Sequence, residues 1–86
     1  MRKLFNMSWN YRILVTKKNG YKHYNIHRVY YGSDGEIQYW SEEPTYPSNP
    51  VSVANLICDL RLMCDAHNKP VLMEIHSRLV VDPESI

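Results

Sequence analysis

With 86 residues, 44% of them hydrophobic, the chain has room for one domain, 1–86, and a thin core, since only about 60–65% of the unfolded surface is buried on folding at this length. Ten Lys and Arg against nine Asp and Glu leave a net charge of +1 with the signs interspersed, which argues against the strong basic field that neutralises phosphates in nucleic-acid binders. No apolar run approaches the roughly 20 residues of a membrane-spanning helix.

Residues 1–6 are too few for a targeting sequence and Met7 offers an alternative start, so residues 1–7 are expected to be disordered. Cys58 and Cys64 fall six residues apart in the helix read below, on different faces, and their Cα atoms lie roughly 9 Å apart, beyond disulfide reach. Reduced thiols without a signal peptide predict a cytoplasmic protein.

Trp9, Tyr11, Ile13 and Val15 alternate with more polar neighbours, the period-two pattern of a half-buried strand. Asn19-Gly20 follows, two residues that tolerate the positive φ of a type I′ hairpin. Counting outward from that turn pairs Lys18 with Tyr21, Val15 with Tyr24, Ile13 with Ile26, Tyr11 with Arg28 and Trp9 with Tyr30. Opposed side chains share a face. The register therefore collects Trp9, Tyr11, Ile13, Val15, Tyr24, Ile26 and Tyr30 on one side, with Arg28 as the exception. A slip of one residue would scatter them.

Gly32-Ser33-Asp34-Gly35 ends the second strand, and a third runs over residues 36–43 with Ile37, Tyr39 and Trp40 as its bulky members. The loop is two, three or four residues long, which leaves open whether Tyr39 or Trp40 joins the core face. Pro44, Pro47 and Pro50 then forbid further pairing and mark a crossover. Ser52 is a suitable N-cap for a helix from about Val53 to His67, whose stripe Leu56, Ile57, Leu60 and Met63 is spaced at three and four. Asn68 is placed to take a left-handed cap before Pro70. Val71 to Ile75 reads as a short fourth strand, and Leu79-Val80-Val81 as a further extended piece.

The predicted architecture is α+β, in the order β-β-β-α-β, a three-stranded antiparallel meander followed by one amphipathic helix and a short fourth strand. The helix stripe is expected to pack on Trp9, Ile13, Val15, Tyr24 and Ile26. Leu60→Asp, an unpaired buried charge, is then expected to unfold the protein.

Catalysis finds no support in the residues. The three glycines all sit in turns, so no phosphate cradle or nucleophile elbow is present, and the adjacent carboxylates Glu42 and Glu43 point to opposite faces of a strand. The chain is read as no enzyme, without cofactor. Cys58, Cys64, His67 and His76 invite a metal, but zinc sites normally draw on two closely spaced pairs and the second pair is missing. No metal is expected, and Cys64 with His67 is kept as a third, small-ligand or metal reading.

What remains is surface. The face not covered by the helix carries Arg12, His23, Asn25, His27 and Tyr31, with Trp40 a possible addition, and these six are the candidate partner surface. Seven Tyr and two Trp exceed what one helix can cover, and both types are enriched at interfaces. A protein partner is expected through that face or an edge strand, and a homodimer is compatible with exposed edges. The alternative is a nucleic-acid backbone reader using Arg12, Lys17, Lys18, Lys22 and Arg28, with a tyrosine for stacking.

Trp9-Asn10-Tyr11-Arg12, Ile26-His27-Arg28-Val29-Tyr30-Tyr31, Asp34-Gly35, Trp40-Ser41-Glu42-Glu43-Pro44, Asp59-Leu60-Arg61-Leu62-Met63 and Lys69-Pro70-Val71-Leu72 together resemble a family of short uncharacterised bacterial proteins, over roughly Trp9 to Leu72. The order of elements also resembles the HicB-type antitoxin domain, in which three antiparallel strands precede a helix and a further strand. Pro47-Ser48-Asn49-Pro50 replaces that family's glycine-rich approach to the helix, and no DNA-binding tail follows Val81. That likeness implies a protein that binds and blocks another protein, antitoxin-like or a small inhibitor, without cofactor.

Overall fold

The computed structural model describes residues 8–48 and 51–85, so the expected disorder of residues 1–7 lies outside the described residues. Five strands and one helix follow in the order β1 (Ser8–Lys18), β2 (Tyr21–Tyr31), β3 (Ile37–Trp40), α1 (Val53–Cys64), β4 (Leu72–Ile75) and β5 (Arg78–Val81). The first hairpin is the one its turn predicts. Asn19 and Gly20 hold φ of 53° and 83°, and Lys18 pairs with Tyr21, Val15 with Tyr24, Ile13 with Ile26, Tyr11 with Arg28 and Trp9 with Tyr30.

The second turn resolves the question left open at Trp40. Gly32 N–H donates to the Glu36 carbonyl (2.9 Å), Gly35 N–H donates to the Gly32 carbonyl (3.0 Å), and Gly35 has φ of 83°. This is a three-residue loop, 33–35, closed by a glycine in the left-handed region. One extra residue then bulges into β3: Ile37 lies opposite Tyr31, but Tyr39 lies opposite Tyr30 and Trp40 opposite Val29. In a regular strand, residues 37 and 40 would face opposite ways. The bulge puts Ile37 and Trp40 on one face and Tyr39 on the other.

The sheet order is β3-β2-β1-β4-β5, with β4 parallel to β1 over Leu14↔Leu72 and Val15↔Met73. The fifth strand corrects the four-strand expectation, and it forms because His76 and Ser77 turn the chain in two residues with φ of 53° and 63°. The turn contains neither glycine nor asparagine, the residues that mark such a hairpin in a sequence. His76→Asn combined with Ser77→Gly is expected to stabilise the fold by about 1 kcal/mol, read as a rise in the urea midpoint at constant m-value.

β1 is central, and its side chains are buried on both faces. On the helix side Tyr11, Met63 and Ala66 form one core, with Ile13 and Ile26 against it. On the opposite side Leu14, Val29 and Leu72 form a second, closed by Tyr31, Ile37, Trp40 and Leu79. No helix covers that side. Sheet twist does so instead: at about 20–25° per strand, four steps rotate β5 against β3 by roughly 80–100°, and both edges fold over the same residues.

Helix packing departs from expectation. Ser52 caps α1 as predicted, its Oγ accepting from Asn55 N–H (3.1 Å), but the helix ends at Cys64, and Asp65–Asn68 continues as a 3-10 turn. Asn68 takes no left-handed cap; extended Lys69 closes the turn through its N–H to the Ala66 carbonyl (3.2 Å). The Lys69 ammonium and the Asn68 amide hold the Asp65 carboxyl below the usual carboxylate range. Of the expected stripe only Met63 is buried, Leu56 is half-buried, and Ile57 and Leu60 are exposed, as are their expected partners Trp9 and Tyr24. The reason is where contact occurs: Met63 and Ala66, at the C-terminal end of α1 and in the turn after it, enter the core, so the rest of the helix stands off the sheet.

Candidate functional site

The six residues singled out from the sequence do share the helix-free face, but twist converts most of that face into interior. Arg12, 9% exposed, donates through Nη1 to the Tyr31 hydroxyl (3.0 Å) and through Nη2 to the Pro70 carbonyl (2.9 Å), while Nε has no partner. The Tyr31 hydroxyl in turn donates to Asn10 Oδ1 (2.8 Å). His27 is buried with Nδ1 2.9 Å from the Ser41 carbonyl, so that nitrogen carries the proton. Tyr31 and Trp40 are half-buried against the second core, Asn25 is half-buried, and only His23 is fully in solvent. An open polar strip is thereby corrected to a buried network with one exposed end.

The open aromatic surface lies on the other face, next to the core that Tyr11 forms with Met63. Arg28 lays its guanidinium over Trp9 (5.0 Å to the ring centroid) and Tyr11 (5.9 Å), and Trp9 meets Tyr11 edge to face at 5.1 Å. Tyr30 stacks on Tyr39 at 4.6 Å. The phenols of Tyr11 and Tyr30 hold Arg28 above its ordinary value, so it is charged wherever the protein is folded. The sequence register already placed Arg28 among these rings. Arg28 interrupts the apolar pattern of that face, yet a planar cation between aromatic neighbours is a stacking partner.

β3 joins the two faces. It is an edge strand of four residues, with Tyr39, 51% exposed, on the aromatic side and Trp40 on the other. Tyr39 faces Tyr30, and Ser41 N–H donates to the Arg28 carbonyl (2.9 Å), so alternation along the ladder turns the Trp40 N–H and carbonyl outward, away from β2. Beside Trp40 the gap between the β3 and β5 edges holds two adjoining cavities of about 400 and 210 Å³ that share Gln38, Trp40 and Ser77. Glu36, Glu42, Glu74 and Arg78 rim them.

A larger cavity, about 570 Å³, lies where β1 and β4 separate beyond their two paired residues, and the Lys22 ammonium crosses it to Glu84. That contact holds Lys22 above its usual value. Both signs of charge line the cavity, and the ammonium of Lys22 and the carboxylate of Glu84 are engaged with each other.

The five basic residues of the nucleic-acid reading do not form one surface. Lys17, Lys18 and Lys22 gather at the hairpin end, where Lys17 faces Lys22 and Lys22 pairs with Glu84, while Arg12 is interior and Arg28 lies roughly 20 Å away along β1. Cys58 and Cys64 are exposed thiols, and among the described residues no three His, Cys, Asp or Glu side chains are placed to share a metal ion. No described helix is long and apolar enough to cross a membrane. Comparison with family models, with characterised proteins and with solved structures finds no match.

Proposed function

We propose that the chain is a non-catalytic protein-binding module, of antitoxin-like or small-inhibitor type, which takes an extended segment of its partner onto the outer edge of β3. One observation carries this reading: an unpaired edge strand bears aromatic side chains on both of its faces, Tyr39 stacked on Tyr30 and Trp40 at the cleft. Strand addition uses both levels of such an edge. Outward N–H and carbonyl groups supply main-chain bonds, and alternate side chains of the incoming strand read the two faces separately. Tyr and Trp lose little conformational freedom on contact and are over-represented where binding energy concentrates. Arg28, already immobilised on Trp9, adds a charged anchor without further ordering.

Three six-residue peptides alternating Val with Lys, Ser or Glu, blocked at both ends, serve as probes. At least one is expected to bind by calorimetry, to lose binding when N-methylated at alternate residues, and to weaken at least tenfold against Tyr39→Ala. Tyr21→Ala, at a more exposed tyrosine on the hairpin end, is expected to change nothing. Equal affinity for both variants, or indifference to N-methylation, removes β3 as the docking edge.

A further inference from the structure

We infer that the partner segment is basic on the side that faces β5, with Lys or Arg at every second position; this rests on β3 being the docking edge. The sheet is open between its two edges, and Trp40 and Gln38 of β3 line the same cleft as Ser77, Arg78 and Leu79 on the β5 side. A strand added to β3 sends every second side chain into that cleft. Three carboxylates, Glu36, Glu42 and Glu74, rim it against the single guanidinium of Arg78, leaving two negative charges unbalanced. None of the three carboxylates forms an ion pair among the described residues.

Between these acids the cleft is floored by Trp40, Ile37 and Leu79. A long cationic side chain fits both features at once, its methylenes along the apolar floor and its head among the carboxylates, with the indole of Trp40 available for cation–π contact. The opposite face of β3 selects differently. There Arg28 supplies the charge and Tyr30 and Tyr39 the surface, so the intervening positions suit apolar or aromatic residues. The expected partner is therefore an extended segment with cations on one face and apolar groups on the other.

The three peptides decide it. Lys–Val is expected to bind at least tenfold more tightly than Ser–Val, and the difference is expected to shrink as salt rises from 50 to 500 mM, because exposed charges are screened. Glu42→Gln with Glu74→Gln, both exposed positions, is expected to abolish the preference while leaving Ser–Val affinity as it was. Equal affinities, or a preference for Glu–Val, overturn the basic partner and leave the docking edge standing. If none of the three binds, the docking edge falls and the inference with it.

Discussion

Val29→Asp is expected to leave no cooperative unfolding transition at neutral pH, whereas Leu60→Asp is expected to keep one and to lower its midpoint by about 5–15 °C. Val29 is the largest fully buried side chain among the described residues, 0% exposed in the second core with Leu14 and Leu72. A carboxylate there loses the roughly 1.5–3 kcal/mol of a buried valine and adds several kcal/mol of uncompensated desolvation. A domain of this size has about 4–13 kcal/mol in all. Protonation relieves part of the charge term, so some structure returns on acidification, visible by circular dichroism. Leu60 is 42% exposed, and an aspartate there keeps its water; the cost is about 1–2 kcal/mol, from partial burial and weaker helix propensity. This reverses the expectation from helical spacing alone. Should Leu60→Asp prove the more damaging, α1 lies closer to the sheet than the structure places it.

Arg12→Ala is expected to cost about 2–4 kcal/mol in urea denaturation, and Arg12→Met about 1–2 kcal/mol. The guanidinium is buried with two neutral partners, Tyr31 and the Pro70 carbonyl, and with Nε unpartnered, so its Coulombic return is small against its desolvation. Its methylene stem nevertheless fills space next to β2 and the approach to β4. Alanine empties that space and strands the Pro70 carbonyl, a loss of about 1–3 kcal/mol for the unmade bond alone. Methionine refills the space but, having no donor, leaves the same carbonyl unpaired, so the difference between the two variants reads the packing. If both substitutions cost the same, the two hydrogen bonds matter more than the packing, and Arg12 acts as a clasp between β2 and the chain entering β4.

The helix-side arrangement was the more legible half. Asn19-Gly20 specifies both the turn and the register, because only one alignment collects Trp9, Tyr11, Ile13 and Val15 with Tyr24 and Ile26, and the structure pairs them so. The same alignment set Arg28 between Trp9 and Tyr30, so the aromatic–arginine surface was present in the pattern. The rest was hidden for separable reasons. His76-Ser77 turns without glycine or asparagine, so Leu79-Val80-Val81 reads from the sequence as an extended piece and not as a strand paired with β4. The bulge in β3 shifts parity by one, and nothing in Ile37-Gln38-Tyr39-Trp40 announces it. Helical spacing in α1 shows which side is apolar, not how closely that side approaches the sheet.

Local chemistry therefore determined the strands of the first hairpin, their register, the capped start of the helix and the α+β class. Each depends on neighbours a few residues apart along the chain or across one turn. Tertiary structure decided which face is interior. Twist is a property of five strands together, and only when β4 and β5 extend the sheet beside β1 do Ile37 and Trp40 at one edge and Leu79 at the other close over Leu14 and Val29. That closure buries Arg12 and His27, leaves the β3 edge and its cleft open, and moves the candidate docking surface from the middle of a sheet face to its rim.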